Sequence, residues 1–323
     1  MVDSQIKFSV IIPLYNKATY IQLAVESVLG QTHTDFELII VNDGSTDDSL
    51  SRVQKIQDSR LRIIDQPNQG VATTRNNGTS FARYEYIAFL DGDDWWHPEF
   101  LEEMANLISC FPEAGIYGCQ YLWVKNGKHK KSVNHELPEF AGYFDYFAAY
   151  TRAWWMPLTS ISVVIRKAVF VDMGGFKYDL KFGEDFDLWI RIVLKYKVAY
   201  LNKPLAYYNQ DVAATGRALG GKRWKKAEHF LFNLTYLDEV ERENHALKKL
   251  LNGLRVRGLL TFYLRKDYPR EVKALLSKVD FSQQPVYYQR LYNWPRPLIV
   301  FYVHSKKVGS VVKQFLLKLV KSK

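Results

Sequence analysis

Tyr84-Glu-Tyr-Ile-Ala-Phe-Leu-Asp-Gly-Asp-Asp-Trp-Trp96 is the stretch on which the fold turns. Its apolar run, Ile87 to Leu90, reads as a short buried strand that stops abruptly at Asp91, Gly92, Asp93 and Asp94. Three carboxylates within four residues repel one another, so a fold that gathers them needs a cation to offset the charge. Hard oxygen ligands of this kind suit Mg2+ or Mn2+, which take one or two carboxylates and share their other positions with substrate phosphates. Gly92 is read as permitting a turn that a side chain would obstruct. In an open α/β sheet, ligands bind beyond the carboxyl ends of the strands, which is where these aspartates fall. The plain alternative is a solvated acidic turn, and the flanking segments weigh against it.

Upstream, residues 7–14 are β-rich and read as a first buried strand closed by Pro13. Residues 20–29 place Ile21, Ala24, Val25 and Val28 at helical spacing, with Thr19 as N-cap. A second strand over 36–41 ends in Asn42-Asp-Gly-Ser-Thr-Asp-Asp48; a helix over 49–56 and a strand over 61–64 follow. A helix over 70–81 then leads into the fourth strand, 86–90. Strands alternating with helices at this spacing predict βαβ units and a mainly parallel sheet. Downstream, the pattern predicts a helix over 100–108, a strand over 116–124, an aromatic helix over 142–150 and a strand over 160–165. A helix over 184–196 and a strand over 198–208 complete this part. Beyond about residue 217 the pattern is helical throughout.

Charge divides the chain at about the same point. Residues 217–323 carry 23 Lys+Arg against 8 Asp+Glu, a balance of +15, while the first 216 carry 21 against 26, a balance of −5. Two modules with different partners are expected, 1–216 and 217–323. Cys110 and Cys119 have neither metal-ligand nor disulfide spacing and read as reduced thiols. The polar start of the chain and the lack of a continuous apolar run of about 18 residues make the cytoplasm the expected location. Toward the end, Val308, Val311, Val312, Phe315, Leu316 and Leu319 form an apolar stripe among lysines. This predicts a helix that either packs on the protein or lies on the anionic inner face of the cytoplasmic membrane.

Three polar turns thus fall at the ends of presumptive parallel strands: Pro13-Leu-Tyr-Asn16, Val41-Asn-Asp-Gly-Ser-Thr-Asp47 and Leu90-Asp-Gly-Asp-Asp94. On one sheet edge they describe a pocket for a base, a ribose and a diphosphate–metal unit. With Asn68-Gln-Gly70, Arg75-Asn76 and Glu184-Asp185 before Trp189, in that order, residues 6–210 resemble the family-two nucleotide-sugar glycosyltransferases of GT-A fold. The resemblance implies a Rossmann-like α/β domain followed here by a basic helical module. It also implies an inverting, metal-dependent transfer of sugar from a nucleotide-sugar donor.

Residue by residue, the resemblance makes Tyr15 a ring that stacks on the base, with Pro13 and Asn16 beside it. Asp43 becomes the acceptor of a uracil N–H, which favours UDP donors, and Arg75 a partner of the diphosphate. Asp91, Gly92 and Asp93 line the ribose and metal, and Asp93 and Asp94 are the expected ligands of Mn2+ or Mg2+. Asp185 matches the base that deprotonates the acceptor hydroxyl, with Glu184 orienting it. Local alternatives are a surface tyrosine at 15, a turn-forming Asp43, a helix-surface Arg75, and helix-start acids at 184 and 185. Processive synthases of the family carry Gln-x-x-Arg-Trp, whereas this chain reads Gly220-Gly-Lys-Arg-Trp224, taken here as part of a basic helix. Single-sugar transfer to a saccharide or lipid-linked acceptor of a bacterial surface glycan is therefore expected. A sugar nucleotidyltransferase is disfavoured by the lack of glycine in Pro13-Leu-Tyr-Asn-Lys17. The alternative from a different class is a non-catalytic basic protein binding nucleic acid or membrane. An RNA binder of that kind would interleave aromatics or carry a recognised module, and neither is present, so no nucleic-acid partner is expected.

Overall fold

Four parallel strands alternate with three helices: β1 (Phe8–Leu14), α1 (Ile21–Leu29), β2 (Phe36–Asp43), α2 (Ser49–Val53), β3 (Leu61–Gln66), α3 (Val71–Phe81) and β4 (Tyr86–Phe89). β1 lies between β2 and β4, with Phe8 opposite both Phe36 and Tyr86. Both of its faces are covered. Phe8, Val10, Ile12 and Leu14 join a core with Ile21, Ala24, Val25 and Val28 of α1. On the opposite face Ile11 meets α3 at Gly78. This two-sided cover explains why these strands read as continuous apolar runs rather than alternating ones. The computed structural model describes residues 6–131, 140–212, 223–295 and 297–299.

The chain then adds β5 (Trp95–Trp96), α4 (Phe100–Cys110), β6 (Ala114–Lys125), β7 (Lys128–Lys131), β8 (Ala141–Tyr143), α5 (Tyr146–Ala153), β9 (Val163–Arg166), α6 (Lys167–Asp172), α7 (Glu184–Val193) and β10 (Lys197–Asn209). The sheet runs β3-β2-β1-β4-β9-β6-β10-β5, with β7 on β6 and β8 on β10. Parallel order holds from β3 to β4 and between β6 and β10. The sheet turns antiparallel where β9 enters between β4 and β6. It is therefore a mixed sheet whose parallel half carries the three polar turns.

Local expectations change in several places. The strand expected over 160–165 starts only at Val163, after a 3-10 turn over Ser160–Ser162. The aromatic stretch over 142–150 splits into β8, paired with β10, and α5, which is capped by Asp145 accepting from the Ala148 N–H at 2.9 Å. α1 starts at Ile21 with no side-chain cap, so Thr19 does not serve as one. Arg223 and Trp224 lie in an irregular segment rather than a helix.

Two compact units are present, 1–230 and 231–323. The division falls beyond residue 217 because the strip before Phe230 pairs with the run into α7. There the Phe182 N–H donates to the Glu228 carbonyl at 3.1 Å, and the Phe230 N–H donates to the Phe182 carbonyl at 3.1 Å. The second unit holds α8 (Asp238–Glu243), α9 (His245–Gly258), α10 (Leu260–Arg265), α11 (Pro269–Leu276) and α12 (Val286–Asn293). Within it, the buried Arg255 donates to both oxygens of Glu241, the bidentate arrangement that best offsets a desolvated guanidinium. Among the described residues no helix is long and apolar enough to cross a membrane. The apolar stripe from Val308 to Leu319 lies outside the described residues.

The contact between α3 and β1 gives a direct stability test. A Cβ on Gly78 would lie 2.5 Å from Ile11 Cγ2 and 3.2 Å from Val41 Cγ2, both on β-branched side chains of buried strands. Gly78→Ala is expected to overpack this contact by more than the helix gains in propensity, for a net loss of about 1–2 kcal/mol in urea denaturation. A variant as stable as the parent would show that α3 can lift from the sheet without loss.

Candidate active site

The turns after β1 and β2 are built together. Asn16 sits at φ 50°, in the left-handed region that Asn tolerates better than most residues. From there its backbone N–H donates to Ser45 Oγ at 3.1 Å, and its Oδ1 accepts from the Thr46 N–H at 2.8 Å. The Lys17 N–H donates to Ser49 Oγ at 2.7 Å, and the Ala18 N–H donates to Asp47 Oδ2 at 3.0 Å. Pro13 is half-buried above this lacing, and Tyr15 is left 46% exposed, a ring free to present a face. Asn16 is thus primarily the tie between two loops.

Asp43, at the end of β2, is buried and heavily engaged. Its Oδ1 accepts from Gln66 Nε2 and from the Gln69 N–H, each at 2.8 Å, and its Oδ2 accepts from the Gly70 N–H at 2.9 Å. A carboxylate has about four lone-pair sites. Three of them fix the loop entering α3, leaving capacity on Oδ2 for a further donor. Gly70 takes φ +88°, a conformation that a side chain would strain.

The acidic turn after β4 spreads its carboxylates among different partners. Asp91 Oδ1 accepts from Arg75 Nη2 at 2.6 Å. Asp93 Oδ2 accepts from Lys17 Nζ at 2.6 Å, and the buried Asp94 accepts from the Asn209 N–H of β10 at 2.7 Å. Burial raises the Asp93 pKa, and the charge of Asp91 adds to it against the pull of Lys17. Burial and the charges of Asp93 and Asp91 raise the Asp94 pKa further still. Gly92 is not demanded by the turn: a Cβ there would meet Lys17 Cγ at 3.4 Å, an ordinary contact, and its φ lies outside the left-handed region.

Arg75 departs most from its expected role. It is buried in α3 with its guanidinium committed to protein groups: Asp91, Glu184 Oε1 at 3.1 Å and Ser160 Oγ at 3.1 Å. The ring of Phe176 lies beneath it at 5.3 Å. Burial opposes its charge, but Asp91, Glu184 and Asp185 override that and raise its pKa. Arg75 therefore positions the carboxylates through both Nη groups, while its buried Nε has no hydrogen-bond partner among the described residues. Ser160 and Lys17 were missed by the sequence reading. Ser160 carries no motif, whereas Lys17 adjoins the turn that was recognised.

Glu184 and Asp185 open α7 after Gly183, whose φ of +76° leaves no room for a side chain beside Phe230. The positive end of the helix favours their negative charge. Asp185 Oδ1 accepts from the Phe186 N–H at 2.7 Å. Burial, followed by the neighbouring Glu184 charge, pushes the Asp185 pKa up to about 7 against the pull of Arg75. Trp224 stacks on Phe182 with centroids 5.7 Å apart, so the Arg-Trp pair lies beside the start of this helix. Of the tryptophans at the acidic turn, Trp96 is core, stacked on Phe100, and Trp95 stacks on Tyr207.

Among the described residues no group of three or more His, Cys, Asp or Glu converges as a ready-made metal cage. The donor set still fits a hard divalent cation bound partly through a ligand. Asp93 and Asp94 are crowded carboxylates with raised pKa values, a charge imbalance that an ion would relieve.

Comparison with known proteins places this arrangement. Residues 9–171 match the sequence profile of Glycosyl transferase family 2. The chondroitin synthase of Pasteurella multocida is 29% identical over 83% of this chain and 27% of its own length. An uncharacterized glycosyltransferase of Escherichia coli, YibD, is 38% identical over 78% of this chain and 75% of its own length. The chain spans a third or less of the first relatives matched, the P. multocida synthases among them. Among solved structures, S. aureus TarS 1-349 in complex with UDP-GlcNAc superposes with a TM-score of 0.68 at 21% identity. The match covers 86% of this chain and 83% of that one, a likeness of fold.

The electrostatics predict a trade between stability and poise at Asp185. In the native state the side chain keeps its proton up to about pH 7, whereas in the unfolded chain a carboxyl loses it near pH 4. Between those values the unfolded state has released a proton that the native state retains, so native stability falls as pH rises. Asp185→Asn removes this loss. Its melting temperature should gain on the parent's as pH rises from about 4 to about 8. A difference that does not change across that range would show that the carboxyl titrates normally.

Proposed function

The chain belongs to glycosyl transferase family 2, and from that premise we propose that it moves a single sugar from a UDP-sugar to a hydroxyl of a saccharide or lipid-linked acceptor, with inversion at the anomeric carbon. The observation that carries this reading is the bridge through Arg75. One buried cation ties Asp91, at the strand end where a donor would lie, to Glu184, the neighbour of the base. Arg75, 16 positions before Asp91 and 109 before Glu184, thereby holds both on one site. The UDP-GlcNAc bound by the TarS structure supports a UDP-sugar as donor, and Tyr15 and Asp43 are the side chains that would receive its base. The same reading makes the product part of a bacterial surface glycan.

In the reaction, Asp185 as carboxylate takes the proton of the acceptor hydroxyl while that oxygen forms a bond to the anomeric carbon. The bond from that carbon to the diphosphate breaks, and its electron pair leaves with the diphosphate. A base with pKa near 7 balances being ionised against being strong enough to accept the proton. Glu184, held by Arg75, sets the electrostatic environment of that base. Lys17 brings a positive charge to the mouth of the acidic turn. A divalent ion held by Asp93 and Asp94 would offset the charge growing on the departing diphosphate.

Asp185→Asn keeps the shape of the side chain but removes the proton acceptor. UDP binding should survive while transfer or slow UDP-sugar hydrolysis falls by ~10²–10⁴-fold. The parent's turnover should rise with pH through about 7, as Asp185 ionises. Asp93→Ala should weaken Mn2+-dependent UDP binding in calorimetry. Parent protein that neither binds UDP nor hydrolyses any UDP-sugar with Mn2+ would overturn the donor assignment. Equal loss of binding and turnover in Asp185→Asn would assign that residue a structural role instead.

A further inference from the structure

A row of partly exposed aromatic rings continues from the acidic turn, and neither the donor nor the base accounts for it. β6 and β10 run parallel with Trp123 opposite Tyr208, which brings the two side chains out on one face of the sheet. Their ring centroids are 6.5 Å apart. Trp155, just after α5, lies 4.4 Å from Trp123 and is nearly parallel to Tyr121 at 6.3 Å. Trp123, Trp155 and Tyr208 each keep part of their surface open.

The row reaches the acidic turn, where Asn209, the residue after Tyr208, donates its N–H to Asp94. α5, the helix that Trp155 follows, approaches the start of α7, where Tyr150 stands edge-on to Phe186, the residue after Asp185, at 5.6 Å. Burial and then the negative charges of Asp94, Asp91, Asp93 and Asp185 raise the pKa of the Tyr208 hydroxyl.

The chemistry of this wall selects its occupant. Aromatic faces carry negative charge density and attract the C–H hydrogens on the apolar face of a sugar ring. Aliphatic side chains would fill a core edge equally well but offer no such face. The nearby carboxylates disfavour an anionic ligand, so the row suits a neutral ring rather than a second phosphate. We infer that Trp123, Trp155 and Tyr208, which pack on the core from one side, form the acceptor subsite and hold a neutral pyranose against the ring surface they leave open, beside Asp185. This assignment rests on the transferase reading above and adds the location and chemical class of the acceptor.

The test uses the full chain with chitotriose and cellotriose as probes, in the presence of UDP and Mn2+, read by saturation-transfer NMR. Protons on the sugar rings of the parent complex should receive saturation. Trp155→Phe keeps a ring and should keep the signal. Trp155→Leu keeps apolar volume without a ring and should weaken sugar binding roughly ten-fold. UDP binding and melting temperature report whether each variant is folded. If Trp155→Leu binds the sugars as well as Trp155→Phe does, the row is a core edge and the inference fails. It fails equally if the parent binds UDP but neither sugar. A parent that binds no UDP overturns the transferase reading itself, and the subsite with it.

Discussion

A guanidinium removed from water must be surrounded by negative charge, and the active site is arranged around that requirement at Arg75. Burying one unpaired charge costs several kcal/mol. Here the charge is offset by Asp91 from the end of β4 and Glu184 from the start of α7, with Ser160 accepting a further hydrogen bond from Nη2. The interaction works in both directions. The carboxylates tolerate their own crowding because the cation lies among them, and the helix that carries Asp185 is anchored to the sheet edge that carries the acidic turn. Asp43 does similar work with backbone donors, fixing the loop from which α3 and Arg75 begin.

Negative charge nevertheless exceeds what Arg75 and Lys17 supply. Asp93, Asp94 and Asp185 all have raised pKa values, with burial as the leading cause in each. A fold selected for stability alone would not retain such a set. Sites that must bind a cationic partner or accept a proton tolerate this kind of imbalance, because the missing charge arrives with the ligand. The left-handed Asn16 is a further local strain on the rim of the same site.

The mixed sheet separates two tasks. Its parallel half ends in tight polar loops, as the crossover geometry of βαβ units provides. The antiparallel insertion of β9 and the long pair β6–β10 extend the sheet beyond β4, and that extension carries the aromatic row. Under the proposed function, nucleotide and saccharide would meet at Asp94, the turn residue that accepts from β10.

By itself the amino-acid sequence determined the parallel half of the sheet, because β1, β2 and β4 are apolar runs buried on both faces, alternating with helical segments. It also marked the acidic turn and Glu184-Asp185, since clustered carboxylates are conspicuous wherever they occur. Only the tertiary structure decided what those residues do to one another. Nothing local to Arg75 says that its guanidinium is buried, and nothing local to Ser160 says that it reaches that cation across 85 positions of chain. The split of residues 142–150 into β8 and α5 was likewise hidden, because β8 exists through its pairing with β10. Gly92 misled for the opposite reason: a glycine between acids looks like a required turn, and only the space around it shows that a side chain would fit. Periodicity and charge are properties of neighbours along the chain, whereas desolvation, ion pairing and strand partnership depend on which distant segments meet.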